Sequence, residues 1–273
     1  LRLRKRQEGL KRSASLKTAV FGRLSIFKNE VDNLKKGELL YEGKAKKIYA
    51  TDQEDILFVE YKDSATAFNG EKKAEIAGKG SLNNQISSFI FTKMKEELDL
   101  PTHFIQQVSD HEQLIKRVKI IPLEVVVRNV SAGSMAKRLG IEEGILLEEP
   151  IIEFYLKDDE LGDPLIIEDH IRFLKIASSE EMEQIKKMAL KVNQFLISLF
   201  DSLNIRLIDF KLEFGKDPQG QILLADEISP DTCRLWEKET NRKLDKDVFR
   251  RNLGNLIDAY NEVLTRLGGK THV

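Results

Sequence analysis

"DFKLEFGKDPQGQILLADEISPD", residues 209–231, reads as two short strands joined by a tight turn. Pro favours the second position of a β-turn and Gly the fourth, which makes Asp217-Pro218-Gln219-Gly220 the turn. Pairing Asp217 with Gly220 then sets Lys211 opposite Asp226 and Glu213 opposite Leu224. Side chains alternate along a strand, so Asp209, Lys211, Glu213 and Asp226 share one face, while Phe210, Leu212, Phe214 and Ala225 share the other. The commoner fate of such a face is solvation with cross-strand ion pairs. Against that, the second strand, "QILLADEI", is apolar and the hairpin is short of Lys and Thr. Three acids and one Lys also suit a divalent cation, because Mg²⁺ takes one or two carboxylates plus substrate phosphates.

Two further stretches point the same way. In "YEGKAKKIY", residues 41–49, Gly43 lets the backbone approach a phosphate, and Lys44 and Lys46, two apart on a strand, point together. The Walker pattern GxxxxGK[ST] is absent, and a solvated Lys-rich edge is the ordinary alternative. Taken with the hairpin, the motif suggests a nucleotide held by lysines on one sheet and by metal on another. "EVVVRNVSAGS" and "SPDTCRLW" add Arg128, Ser131, Ser134 and Arg234. An Arg grips phosphate bidentately and a Ser at a helix start donates beside it; a surface salt bridge is the alternative for either Arg alone. Cys233 reads as a small filler, and no Ser or His shows a triad or nucleophile-elbow signature.

Around these motifs the pattern is mixed. "ELLYEG", "KAKKIYAT" and "DILFVEY" read as the start of a β-meander, followed by a polar loop, "KDSATAFNGEKKAE". Leu82, Ile86, Phe89, Ile90 and Met94 mark a helix over about 79–98. Strands follow at "HFIQQV", "QLIKRVKII" and "LEVVVRNV", then a short helix at 134–139 that Gly140 caps. Ser178 and Glu181 form a capping box for a long helix to about Leu203. A last helix is expected from Asp245 to Gly268, burying Leu253, Leu256, Ile257, Tyr260 and Leu264. Strands and helices in this order argue α+β, with antiparallel sheets and packed helices.

The chain has 273 residues, 41% hydrophobic, enough for one large domain or two lobes. No apolar run approaches the roughly 20 residues of a membrane helix, so no membrane partner is expected. One cysteine and four scattered histidines exclude an internal disulfide and short-spaced zinc ligation, and suggest a reducing, cytoplasmic setting. Residues 1–36 hold eleven Lys/Arg and three acids, net +8, whereas the other 237 carry 33 Lys/Arg and 42 Asp/Glu, net −9. This leader has the composition of an organelle transit peptide, an appended out-of-frame segment being the alternative, and it is set aside from the fold. A nucleic-acid role would rest on it alone, and the acidic body argues against one.

In sequence order, "YEGKAKKIY", "KDSATAFNG", "GKGSLNN", "VVVRNVSAGS", "FYLKDDELGDP", "DFKLEFG" and "LADEISPDTCRLW" resemble the motif series of the SAICAR synthetase family of purine biosynthesis, in its short bacterial form. The resemblance runs from about Glu38 to Gly269. It implies a two-lobed fold related to ATP-grasp and kinase-like nucleotide folds. Residues 37–120 would form a β-rich ATP-binding lobe and 121–269 an α+β lobe for substrate and metal, with 270–273 as a tail. It implies ligation of L-aspartate to carboxyaminoimidazole ribonucleotide (CAIR) with ATP and Mg²⁺. Gly43, Lys44 and Lys46 would meet ATP phosphates, and the backbone from Lys119 to Leu123 would face adenine. Glu213 and Asp226 would hold Mg²⁺. Arg128, Ser134 and Arg234 would bind the ribonucleotide phosphate, and Lys211 and Asp209 would sit at the reacting centre. Asp63, Thr66 and Asn69 lie in what looks like a loop closing over substrates. Members are commonly oligomeric, so a homo-oligomer is expected. A small-molecule kinase and a non-catalytic nucleotide sensor are the competing readings. Two phosphate-binding motifs favour two substrates besides ATP, and retention of Lys211 with both acids favours catalysis.

Overall fold

The computed structural model describes residues 34–67 and 70–269, so the expectations for residues 1–33, Asn69 and the 270–273 tail lie outside the described residues. Two antiparallel sheets organise the chain. The first runs in the order β1-β2-β3-β7-β6, from β1 (Lys36–Glu42), β2 (Lys46–Thr51), β3 (Ile56–Tyr61), β6 (Phe104–Gln107) and β7 (Glu112–Lys116). The second runs β10-β9-β8-β11-β12, from β8 (Lys119–Val130), β9 (Leu146–Leu156), β10 (Leu165–Ile166), β11 (Ile205–Lys216) and β12 (Ile222–Ala225). A further strand, β13 (Cys233–Glu237), pairs β11 beside β12.

The stretch read as the polar loop "KDSATAFNGEKKAE" is instead a small hairpin, β4 (Ser64–Ala67) with β5 (Lys72–Glu75). The Asp63 carboxylate accepts from the Gly78 and Gly80 amides at 3.1 and 2.8 Å. Those are orphan donors at the start of α1 (Lys79–Glu97), which lacks a side-chain cap of its own. A Cβ at Gly80 would meet the Tyr61 carbonyl at 2.6 Å, so only glycine lets α1 start this close to β3.

Pro122 does not interrupt β8. Its missing amide falls where the β8–β11 register shifts, between Glu213↔Glu124 and Gly215↔Ile120, so the ladder loses no donor it needs. The remaining helices are α2 (Gly133–Leu139), ended by Gly140 at φ +65°, α3 (Glu168–Phe173), α4 (Ser179–Asp201), α5 (Asp247–Arg250) and α6 (Leu256–Arg266). The capping box forms as expected: Ser178 Oγ accepts from the Glu181 amide and Glu181 accepts from the Ser178 amide at 2.9 Å. The single last helix does not. Asn252 and Gly254 take positive φ, and Asn255 caps a fresh start by accepting from the Ile257 amide at 2.9 Å. Leu253 therefore falls in the break and is 55% exposed, while Leu256, Tyr260 and Leu264 are buried.

One continuous apolar core joins α1, α4 and α6 to the inner face of the second sheet, through Ile86, Ile90, Leu196, Phe210, Leu212, Phe214 and Tyr260 among others. Near the end of β12 the segment after α1 crosses over. Leu224 donates to the Pro101 carbonyl at 3.0 Å, and its own carbonyl accepts from the His103 amide at 2.8 Å. Among the described residues no helix is long and apolar enough to cross a membrane.

Candidate active site

Strand β11 lies at the centre of the second sheet, with β8 along one side from Asp209 to Lys216. On its other side, β13 pairs the first half and β12 the second, and the Lys211 amide between them donates to the Thr232 carbonyl at 2.8 Å. Residues 226–232 thus leave the sheet beside Lys211. The outward face of β11 is not solvated, for Asp209 and Glu213 are only 3% and 4% exposed. It floors a cleft of about 1010 Å³ whose other wall is the first sheet.

The hairpin register differs by one residue from expectation. Glu213 stands opposite Ala225, and the Asp217 amide donates to the Gln221 carbonyl. Gly220, at φ +82°, follows the β-turn as a bulge and adds the extra residue. A regular β12 in this register would send Asp226 away from Lys211. Asp226 instead takes φ +60°, ends the strand, and brings its carboxylate back to the charged face.

Lys211 is the hub of that face. Its Nζ lies 2.6 Å from Glu213, 3.2 Å from Glu124 and 3.3 Å from Asp226. Lys157 reaches the same Glu213 oxygen at 2.7 Å. From the first sheet, Lys46 reaches Asp226 at 2.5 Å and Glu227 at 2.8 Å. Burial disfavours the charge on both Lys46 and Lys211, but Asp226 with Glu227, and Glu213 with Asp226, outweigh it and hold both pKa values well above the ordinary lysine range. Burial would likewise raise Asp226, yet Lys46 and Lys211 pull it far below the usual carboxylate range. Behind them His103 is buried, and that burial, aided by the nearby Lys46 charge, pushes it down to about 3.

A second cluster stands two residues along β11. Asp209 accepts from Arg128 NH1 at 2.7 Å and from Arg234 NH1 at 2.9 Å, so two guanidinium groups share one buried carboxylate. Arg128 also donates to Glu153 at 2.7 Å, Ser134 at 3.1 Å and Tyr155 at 3.2 Å. Arg234 Nε is held by Asp247 at 3.1 Å, and its NH2 makes no hydrogen bond among the described residues. That NH2 lies against Gly133, whose φ is +56°; a Cβ there would sit 2.4 Å from it.

The cleft thus gathers Gly43, Lys44, Lys46, Arg128, Ser134, Asp209, Lys211, Glu213, Asp226 and Arg234. Lys44 and Lys46 are not equivalent. Lys44 lies in the turn before β2 and bridges the cleft to Asp159 at 2.6 Å with both partners exposed, whereas Lys46 is nearly buried. From the segment 119–123 it is Ile120 that lines the cleft, with Val118 before it; Leu123 belongs to the core and the Lys119 side chain is exposed. Sequence reasoning missed Glu124, Lys157 and Asp159. Glu124 was within reach, being four residues before Arg128 on the same strand and so on the same face.

The family described as SAICAR synthetase matches residues 39–267. The chain is 68% identical over 241 residues to the phosphoribosylaminoimidazole-succinocarboxamide synthase of Bacillus subtilis (strain 168), covering 88% of this chain and all of that relative. It is 63% identical over 240 residues to the Bacillus cytotoxicus protein of the same name, with 88% of this chain and all of the relative covered. Among solved structures it is similar to the synthase from Ehrlichia chaffeensis, with TM-score 0.84 and 49% identity over 86% of this chain and all of that one. It is also similar to a SAICAR synthetase in complex with ADP, with TM-score 0.82 and 51% identity at the same coverage. With the motif series, the fold and these likenesses in agreement, the chain belongs to the SAICAR synthetase family and is an ATP-dependent ligase that joins L-aspartate to CAIR in purine biosynthesis.

Proposed function

We propose that the ligation runs through an acyl phosphate formed over the charged face of β11. The observation that carries this reading is the hub at Lys211, whose ammonium touches Glu213, Glu124 and Asp226 two residues from the arginine-held Asp209. A carboxylate is a poor electrophile toward an amine. Attack of a CAIR carboxylate oxygen on the γ-phosphorus of ATP expels ADP and leaves a carboxyl phosphate. The aspartate amine then attacks the acyl carbon, loses a proton as the amide forms, and phosphate departs. Charge builds on phosphoryl oxygens throughout, so cations rather than a protein nucleophile carry the catalysis.

In this reading Ile48, Leu57, Val59, Ile115, Val118 and Ile120 form an apolar wall for adenine. Lys44 and Lys46 face the phosphates from the first sheet, and Lys211 faces the transferred group from the second. Among the described residues no three His, Cys, Asp or Glu side chains cluster as a self-sufficient metal site. Glu213 and Asp226 nevertheless both contact the Lys211 ammonium, and such a pair fits Mg²⁺, which takes one or two carboxylates and completes its shell with phosphate oxygens and water. Bound there, Mg²⁺ would neutralise charge on the nucleotide phosphates. The free NH2 of Arg234, with Arg128 and Ser134 beside it, receives the CAIR phosphate. Asp209 acts as a strut between the two arginines, since both guanidinium groups already donate to it.

The reading is tested with CAIR carrying ¹⁸O in its carboxylate. One label per turnover is expected in the released phosphate; phosphate free of label would rule out the acyl phosphate.

A further inference from the structure

Arg234, on β13, takes its supports from two further elements. Its Nε is fixed by Asp247 of α5, and its NH2 rests on Gly133 at the entry to α2. These two neighbours are themselves tied together by a pair of side chains that do not line the cleft. Glu143, in the loop after α2, accepts from the Gly133 amide at 2.9 Å. Its carboxylate is held in a two-bond grip by Arg251, with NH1 donating to Oε2 at 2.8 Å and NH2 donating to Oε1. Arg251 Nε in turn lies 3.5 Å from the same Asp247 oxygen that Arg234 uses. The contacts close on themselves: Gly133 to Glu143, Glu143 to Arg251, Arg251 to Asp247, Asp247 to Arg234, and Arg234 back to Gly133.

We propose that Glu143 and Arg251 are positioning residues for the substrate-phosphate site, setting where the Arg234 guanidinium stands relative to Ser134 and Arg128. Fork-to-carboxylate pairs fix direction as well as distance, which suits a strut better than a single ammonium contact would. The ring joins the first turn of α2, which carries Ser134, to the segment that carries Asp247, and these are more than a hundred residues apart in sequence. Without Arg251 the Glu143 carboxylate keeps only the Gly133 amide, and Asp247 loses one of the cations that aim it. Arg234 then gains freedom at both of its supports. Its charge stays in the cleft, so substrate binding weakens while the β11 face is untouched. The inference rests on the reading of Arg234 as the phosphate ligand.

The test compares Arg251→Ala, Glu143→Gln, their double variant, Arg251→Lys and Arg234→Ala in the full chain. Steady-state kinetics are measured with CAIR and with ATP varied, and CAIR binding is measured by calorimetry without nucleotide. The expected result is a CAIR KM raised about three- to tenfold in Arg251→Ala and Glu143→Gln, with kcat and the ATP KM within about twofold of the parent. The double variant should be no worse than the poorer single, because the two act through one contact. Arg251→Lys, which keeps charge without the fork, should resemble Arg251→Ala. If Arg234→Ala raises the CAIR KM while both ring variants match the parent, the positioning role is wrong. Equal losses in kcat, both KM values and the unfolding midpoint would mean a merely structural tie and would also overturn it. Should Arg234→Ala leave CAIR binding unchanged, the phosphate assignment falls first and the inference with it.

Discussion

Asp231 shows at the scale of one residue how strongly the cleft depends on paired charge. Its carboxylate sits 2.7 Å from Lys79 Nζ at the start of α1, accepts from Tyr260 OH at 2.5 Å, and lies 3.5 Å from Lys246. Lys79 and Asp231 side chains are 1% and 4% exposed, so neither ion has water to fall back on. Burial would raise the Asp231 pKa, but Lys246 and Lys79 hold it well below the usual carboxylate range. A depressed carboxylate contributes stability that is present above its unfolded pKa of about 3.9 and is lost as the pH falls through the folded value. Asp231→Asn strands the buried Lys79 charge and should cost about 3 kcal/mol near pH 7. The stability gap between parent and variant should narrow as the pH drops below about 4. Denaturant unfolding at pH 7 and pH 3 checks both statements; a gap that stays constant or widens on acidification would contradict them.

At the scale of the element, the hairpin of β11 and β12 shows what a sequence does and does not carry. Alternation placed Asp209, Lys211 and Glu213 on one face because β11 is a regular strand there, and the structure agrees. The same reasoning reached Asp226 by two departures that cancel. Gly220 inserts one residue into the turn, and Asp226 leaves the strand in a left-handed conformation. Neither is visible in hydrophobic periodicity, since both are properties of single φ angles. Around Gly220 a Cβ would meet nothing within 4 Å, so Gly220→Ala tests the backbone alone. It should lower stability by about 1 kcal/mol and the melting temperature by a few degrees, with kcat unchanged. A variant as stable as the parent would mean that the bulge does not set the register. The break between α5 and α6 was missed for a related reason: Leu253 keeps helical spacing with Leu256 and Tyr260, while Asn252, Gly254 and the Asn255 cap overrule it.

Taken as a whole molecule, the chain places cations from one sheet against anions from the other. Lys46 of the first sheet meets Asp226 and Glu227 beside the second, and Lys44 meets Asp159 across the cleft mouth. The exposed Lys44 pair adds little to stability, whereas the Lys46 group is buried and fixes the two walls against each other. The residues proposed for nucleotide and metal were legible because each sat in a short local motif. Glu124 was within reach from its place on the face of Arg128, but the partners Lys157 and Asp159 were not, because pairing with β11 or across the cleft is set by tertiary contact between segments distant in sequence. The central claim is that the charged face of β11 is where phosphoryl and acyl transfer occur. Its most direct test is ADP release by Lys211→Met with ATP, Mg²⁺, CAIR and L-aspartate, with ADP affinity measured by calorimetry and the unfolding midpoint taken on the same sample. The account predicts a folded variant that binds ADP within about tenfold of the parent, with kcat lowered by about a thousandfold. A folded variant whose kcat stays within about tenfold of the parent would contradict it.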